Sequence, residues 1–312
     1  MNKLCQLSRG VVLVAVLLGA VAMAQEQASK APVFLNIDHA SLCGSNLDNM
    51  RQVFASVGLT ADYGGPHSTG GTHMALVGFD DGSYLELIAP QDAAGAQSSN
   101  WAKFMSADGG PCAWAVEPKD IDAEVQRLKA NGTQVTGPEN GSRKRPDGMN
   151  IEWQIANVGP GGTGSLLPFL IQDRTPRQWR VSPSASVQGS MLTGVESVVL
   201  AVNDLNASIA LFRKTYNWAE PITEDHGEFG AKLAYFPGQP VVLAMPLGNK
   251  SFVAERLQKF GESPAAYLLA TNDYSAANKK FKLSGSKPWF SQKVGWFDQN
   301  KLKGIRIGVI GQ

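Results

Sequence analysis

The chain has 312 residues, in which 28 Lys and Arg nearly balance 27 Asp and Glu for a formal net charge of +1. This balance gives no reason to expect a nucleic acid or an anionic membrane surface as a partner. The length is sufficient for two domains, each with a full hydrophobic core.

The first 24 residues have the pattern of a secretory signal peptide. Lys3 and Arg9 come before the apolar run "VVLVAVLLGAVAMA", which ends in the small residues around Ala24. The run is shorter than the about 20 residues of a membrane-spanning helix. We therefore predict cleavage before Gln25, and a mature protein that is periplasmic or secreted and carries no membrane anchor.

Two cysteines, Cys43 and Cys112, remain after that cleavage. In an oxidising compartment they could pair, but two buried free thiols are at least as compatible with the sequence. Their number and spacing do not match a zinc site or a dense disulfide scaffold. Both states of the two cysteines stay open at this level.

The first predicted element is the strand "FLNIDHASLCG". Its alternation places Leu35, Ile37 and His39 on one face, so the imidazole is expected to point toward the same core as Leu35 and Ile37. A helix follows, with Ser45 as its predicted N-cap. The apolar stripe of that helix consists of Leu47, Met50, Phe54 and Val57.

The pattern of the first 90 residues returns later in the chain. A strand starting at Gly194 leads into an amphipathic helix with Asn203 as its predicted N-cap, and "TEDHGEFGAKLAYF" aligns with "GGPHSTGGTHMALVGF" so that His226 matches His67. Two looser copies start near residues 111 and 264. We predict an α+β protein of four βαβββ modules in two domains. The predicted bounds are module A at 33–90 and module B at 111–172 in a domain of residues 25–172, a linker at 173–192, and modules C and D at 193–312.

Two polar stretches are candidates for a ligand-contacting role. His67 lies between two glycine pairs, either as an exposed loop histidine or on the rim of a cleft. "SRKRPDG" is typical of a solvated hairpin tip, but arginine side chains there also suit carboxylates or phosphates, and we select Arg145.

The order of five segments resembles the glyoxalase-like domain family of the vicinal oxygen chelate superfamily, which includes glyoxalases, extradiol dioxygenases and bleomycin-resistance proteins. The segments are "IDHASL", "GGPHSTGGTHMAL", "SYLELIAP", "RKRPDGMNIEWQI" and "LLPFLIQD". The resemblance covers roughly residues 33–172 and implies paired modules whose strands curl around a cleft.

The resemblance also implies a divalent metal, Fe, Mn, Zn or Ni, held by His39 and Glu86 on the first and last strands of module A. Glu86 shares a strand face with Tyr84 and Ile88, and a carboxylate buried there needs a partner. The corresponding strands of module B, "CAWAV" and "LLPFLIQ", contain no His or Glu. His67, His73 or water would therefore complete the metal site. In module C the matching positions are Ser197 and Val242, so no metal is expected there.

Two functions follow from these features. The first is a metal-assisted enzyme of lyase, isomerase or dioxygenase type that acts on a small oxygenated or carbonyl compound. In that enzyme His67 would move protons and Arg145 would fix an acidic group. The alternative is a metal-free small-molecule binding or sequestration protein of the bleomycin-resistance type.

Overall fold

The computed structural model describes residues 31–67, 70–160, 163–285 and 287–311. The predicted signal peptide lies outside these described residues. Within them, no helix combines the length and the apolar content needed to cross a bilayer.

The first half of the chain forms one eight-stranded sheet with its helices. The elements are β1 (Ile37–Cys43), α1 (Leu47–Ala55), β2 (Asp62–Pro66), β3 (Thr72–Gly78), β4 (Tyr84–Pro90), α2 (Ala93–Ser98), α3 (Ala102–Met105), β5 (Gly110–Val116), α4 (Ile121–Ala130), β6 (Val135–Lys144), β7 (Asn150–Val158) and β8 (Phe169–Asp173). The strand order is β2-β3-β4-β1-β5-β8-β7-β6. In the centre of the sheet β1 is parallel to β4 and antiparallel to β5.

The second half of the chain forms a seven-stranded sheet. The elements are α5 (Arg177–Arg180), β9 (Leu192–Ala201), α6 (Leu205–Tyr216), β10 (Ile222–His226), β11 (Ala231–Tyr235), β12 (Val241–Pro246), α7 (Phe252–Phe260), β13 (Ser263–Thr271), α8 (Tyr274–Phe281), β14 (Lys293–Trp296) and β15 (Arg306–Gly311). The strand order, β10-β11-β12-β9-β13-β15-β14, repeats the topology of the first sheet. Again the central strand, β9, is parallel to β12 and antiparallel to β13. The predicted duplication is therefore confirmed.

The fourth module departs from the predicted βαβββ pattern. Within the described residues after α8, two strands rather than three follow, and Ser284 makes only an isolated bridge to Trp296. Between Ser284 and Trp296 the chain turns at Phe290 and Ser291, where φ is positive, and Trp289 is buried. An aromatic side chain is buried where the other modules have a further strand.

The two predicted N-caps are each wrong by one residue. Asn46, not Ser45, caps α1 by accepting the N–H of Asn49, and Asp204, not Asn203, caps α6. The predicted apolar stripe of α1 is confirmed for Leu47, Met50 and Phe54, which are buried. Its fourth member, Val57, lies beyond the end of the helix and is half-buried.

A β-bulge in β1 changes the direction of His39. The pairing of β1 with β5 shifts register between Ile37 and His39. Ile37, Ala40 and Leu42 therefore join the helix-side core, whereas His39 faces Glu86 on the other side of the sheet. The prediction that Ile37 and His39 share one face is wrong, because the bulge shifts the alternation by one residue.

The two sheets share one hydrophobic core, which runs from α1 and α4 to α6. At their contact, the hydroxyl of Tyr267 in β13 donates toward the carbonyl oxygens of Ser41 and Ala113, at 2.8 and 2.7 Å. Residues 173–192, predicted as a linker, pack closely on the first sheet: Arg180 and Ser184 are buried there. The predicted linker between the two domains is therefore a packed part of the structure.

Cys43 and Cys112 form a disulfide between the adjacent strands β1 and β5, with their Cα atoms 5.9 Å apart. Both residues are buried. Of the two states left open by the sequence, the structure has the paired one.

Candidate metal centre and its pocket

A cavity of about 100 Å³ lies on the face of the first sheet opposite α1 and α4. Its polar wall contains His39, His67, Glu86, Arg143 and Arg180. Its apolar wall consists mainly of Trp101, Trp153, Ile155, Phe169 and Ile171. The cavity therefore places a small cluster of ionisable groups against aromatic and aliphatic side chains, as small-molecule sites commonly do.

Glu86 lies between the two imidazoles of this cavity. One carboxylate oxygen is 3.6 Å from His39 Nε2, and the other is 3.3 Å from His67 Nε2. The hydroxyl of Ser41 donates to the oxygen on the His39 side, at 3.0 Å. Burial by itself raises the pKa of Glu86, but the hydrogen bond with His67 and the proximity of His39 outweigh it and lower the pKa to about 2. Glu86 is therefore an anion at neutral pH.

His39 and Glu86, which the resemblance names as metal ligands, face each other in the cavity, and their 3.6 Å separation is an ion-pair contact rather than a hydrogen bond. His39 is fixed from behind, because its Nδ1 is 2.6 Å from a carboxylate oxygen of Asp38. Its ring also stacks on Tyr84, with the centroids 4.7 Å apart. These contacts leave Nε2 directed at Glu86. A carboxylate on the remote nitrogen of a metal-binding histidine is a common way to fix its tautomer and orientation.

His67 lies on the rim of the cavity, which is one of the two positions predicted for it; the other was an exposed loop. Its Nδ1 lies 2.9 Å from the hydroxyl of Thr72, and its side chain is 19% exposed. His73, the other histidine of this segment, lies on the opposite face of β3 beside Tyr63. His67 therefore joins His39 and Glu86, and His73 does not.

Behind His39, three carboxylates lie close together: the nearest oxygens of Asp38, Glu117 and Asp173 are within 4.8 Å of one another. Such a set has the chemistry of a metal site, but two guanidinium groups already bind its carboxylate oxygens. Arg180 bonds to Asp38 at 2.7 Å and to Asp173 at 2.6 Å. Arg177 bridges all three carboxylates, at 2.5 to 2.8 Å. We therefore interpret this cluster as the support of His39, not as the metal centre.

Asp38 remains ionised in this cluster. Burial raises its pKa, but the neighbouring Arg180 outweighs burial and lowers the pKa well below the usual range of an aspartate. The Asp38 carboxylate thus accepts hydrogen bonds from Arg180 and faces His39 at the same time. This arrangement connects the pocket to α5, in the segment predicted as a linker.

Arg145 does not reach the cavity. Its guanidinium pairs with Asp147 at 2.8 Å and donates to the carbonyl oxygen of Trp179. Arg143, two residues earlier in β6, lines the cavity instead. The hairpin turn begins at Arg145. Arg143 lies within the strand, and its side chain therefore faces the cavity.

The second sheet fills the equivalent space with aromatic side chains. Ser197 and Val242 occupy the positions of His39 and Glu86, as the register of β9 and β12 requires. Phe229, Trp289 and Trp296 pack in the same cluster as Val242.

Sequence reasoning missed Asp38, Arg143 and Arg180 as members of the site. Arg143 lay within the basic segment that drew attention to Arg145, and Asp38 directly precedes His39. Nothing near Arg180 in the sequence pointed to His39, which is 141 residues away along the chain.

Residues 37–216 match the family described as "Glyoxalase-like domain". The chain belongs to this family. No curated protein matches it. The family match confirms the resemblance to the glyoxalase-like domain family seen in the sequence.

Two solved structures cover most of the glyoxalase-like chain. A hypothetical protein from Staphylococcus aureus covers 88% of it, over 99% of its own length, with 15% identity and a TM-score of 0.59. A mutant 4-hydroxymandelate synthase from Streptomyces coelicolor covers 90%, over 93% of its own length, with 10% identity and a TM-score of 0.60. At such identities the likeness concerns the fold alone.

A methylmalonyl-CoA epimerase from Mycobacterium tuberculosis covers 38% of this chain and 88% of its own, with 20% identity and a TM-score of 0.34. Another epimerase structure of similar coverage holds methylmalonyl-CoA and ammonium.

Proposed function

We propose that this protein is an exported, metal-assisted enzyme of lyase, isomerase or dioxygenase type, which acts on a small oxygenated or carbonyl compound. The observation that carries the proposal is Glu86, a buried carboxylate placed between the Nε2 atoms of His39 and His67. The pattern of residues 1–24 and the Cys43–Cys112 disulfide support export, since disulfides persist mainly in oxidising compartments.

The donor set at Glu86 fits a divalent transition metal. Imidazole and carboxylate ligands suit Fe, Mn, Zn or Ni, and His39 is oriented through Asp38 as metal-binding histidines usually are. We assign His39 and Glu86 as the residues that would hold the ion. A metal bound there would act as a Lewis acid toward oxygens of the substrate.

The remaining residues would bind and orient the substrate. His67 stands at the rim with Nε2 turned inward, where it can carry a proton between the substrate and solvent. Trp101 and Trp153 would cover the apolar part of the substrate and exclude water.

A metal-free binding protein is the second candidate, and one observation favours it. Phe169 and Ile171 of module B face the cavity from β8, the strand that matches β4, so that wall offers apolar contacts and no ligand atoms. A sequestering protein needs only such a pocket.

Metal analysis separates the two candidates. The protein is expressed with its leader and purified without chelators, its mass is checked for a start at Gln25, and its metal content is measured by mass spectrometry. We expect about one Fe, Mn, Zn or Ni ion per chain in the wild type. We expect less than about a tenth of that in His39→Ala and Glu86→Ala, because each loses a ligand.

His73→Ala is the matched control, since it removes a histidine from the other face of β3 and should keep the wild-type metal content. Metal-free wild-type protein, or His39→Ala and Glu86→Ala variants that retain the ion, would contradict the metal site and leave the binding protein as the function.

A further inference from the structure

Arg143 stands where two cavities meet. It lines the cavity of Glu86 and also a larger one of about 370 Å³, and Leu76 and Arg180 are shared by both. The residue is only 6% exposed, so its guanidinium is enclosed by protein and open to the two cavities. Tyr63 and Trp179 form aromatic parts of the larger cavity.

The partners of Arg143 in the protein are neutral. Its guanidinium donates to the carbonyl oxygens of Gly64 and Arg180. An arginine side chain has five N–H donors, so these two bonds leave most of them available. Throughout the described ranges of the chain, no carboxylate oxygen lies within the 4.0 Å of an ion pair with this guanidinium.

Arg180 is a buried arginine whose charge is paired with carboxylates of the protein. It has Asp38 and Asp173 as direct partners. For Arg143, Glu86 acts only from a distance, and both Glu86 oxygens are already engaged by His39, His67 and Ser41. A buried cation without a counter-ion is unfavourable unless a partner is supplied. Burial accordingly lowers the pKa of Arg143.

We propose that Arg143 anchors an anionic group of the substrate, and that the substrate is therefore a small organic acid, most simply a carboxylate with an apolar or aromatic body. A guanidinium fork matches a carboxylate in shape and charge. The acid group would lie against Arg143 at the junction of the cavities, and the body would contact Trp101 and Trp153 of the inner cavity. This inference deepens the proposed function and rests on it, because the bound acid is a substrate only if the protein is an enzyme.

Benzoate and benzamide test the inference, because they have nearly the same shape and differ in charge. Their dissociation constants are measured by calorimetry on the mature protein, both treated with chelator and loaded with metal. In the chelator-treated wild type we expect benzoate to bind about tenfold more tightly than benzamide, since a charge-assisted bond replaces a neutral one. Phenylphosphonate in a third titration shows whether a phosphate-like anion is preferred to a carboxylate.

Arg143→Gln should abolish the preference for benzoate, while its amide can still donate to Gly64. Arg143→Lys should keep part of the preference, and it serves as the charged variant if Arg143→Gln does not fold. Lys144→Gln, which changes the next residue of β6 and a side chain that lines neither cavity, should bind like the wild type. A purely structural arginine would change the melting temperature but not the ratio of the two dissociation constants.

The inference is overturned if wild-type protein does not prefer benzoate, or if Arg143→Gln prefers it as strongly as the wild type. Because the chelator-treated arm contains no metal, the anion site can hold while the metal proposal fails. A normal metal content with no preference for the anion would remove only the role of Arg143.

Discussion

At the scale of residues, the site depends on charge balance behind His39. Asp38 is fully buried and contacts the imidazole, and its charge is matched by Arg180, which is itself buried. Asp173 and Arg177 extend this network to β8 and α5. The orientation of a single imidazole is therefore set by residues from three separate parts of the chain.

Replacing Arg180 with Met should lower the free energy of unfolding by about 3–5 kcal/mol, because buried Asp38 loses the guanidinium that bonds to both of its carboxylate oxygens. Urea unfolding followed by circular dichroism measures the change. The control is Glu220→Gln, which removes an exposed pair with Arg213 and should change stability by less than about 0.5 kcal/mol. A loss below about 1 kcal/mol for Arg180→Met would mean that Arg177 alone compensates Asp38.

At the scale of elements, single-residue shifts decide which side chains meet. The bulge in β1 moves His39 to the face of Glu86, away from that of Ile37. At the next element, α1 starts one residue later than Ser45 predicts, because the Asn46 side chain accepts the N–H of Asn49 at 2.8 Å. The hydroxyl of Ser45 bonds to Asp108 instead.

The two neighbouring polar residues allow a direct test of the cap. Asn46→Ala should destabilise the protein by about 1 kcal/mol, since α1 loses the acceptor for one of its first free N–H groups. Ser45→Ala removes an exposed hydroxyl and should change stability by less than about 0.5 kcal/mol. Thermal unfolding of both variants ranks them, and the reverse order would restore Ser45 as the N-cap.

At the scale of the whole molecule, the two sheets depend on each other. The core is continuous between them, and Tyr267 of the second sheet bonds to carbonyl oxygens of β1 and β5 in the first. Ser41, whose carbonyl oxygen accepts one of these bonds, also donates its hydroxyl to Glu86. The second sheet, whose own cleft is filled with aromatic residues, thus contacts and stabilises β1, the strand that carries His39.

Tyr267→Phe should lower the free energy of unfolding by about 1–3 kcal/mol at pH 7, because the hydroxyl contact between the sheets is lost. Burial raises the pKa of Tyr267 in the folded protein, whereas an unfolded tyrosine ionises near pH 10. The contribution of Tyr267 is therefore present below about pH 10 and is lost as the pH rises further. At pH 11 the difference between wild type and variant should be smaller by about 1.4 kcal/mol.

Urea titrations at pH 7, 9, 10 and 11 measure this difference. Tyr63→Phe is the control for the loss of a hydroxyl, since Tyr63 is exposed. A difference that stays constant up to pH 11 would show that the hydroxyl of Tyr267 is not protected by the contact between the sheets.

The sequence by itself determined the order of the main strands and helices in modules A to C, and the duplication. Amphipathic stripes and strand alternation are local patterns, so they can be read without knowing what lies opposite. The alignment of His67 with His226 and the substitution of His39 and Glu86 by Ser197 and Val242 could be read for the same reason. The family resemblance then related the first strand of module A to its last.

Only the tertiary structure decided how the site is completed. Asp38 and Arg180 are 142 residues apart, and no local pattern relates them. The bulge in β1, the disulfide between β1 and β5, and the choice of Arg143 over Arg145 depend likewise on neighbouring strands. Burial and charge compensation are properties of groups that meet in space, and a pocket built from β1, β4, β6 and α5 comes into being only when those elements pack together.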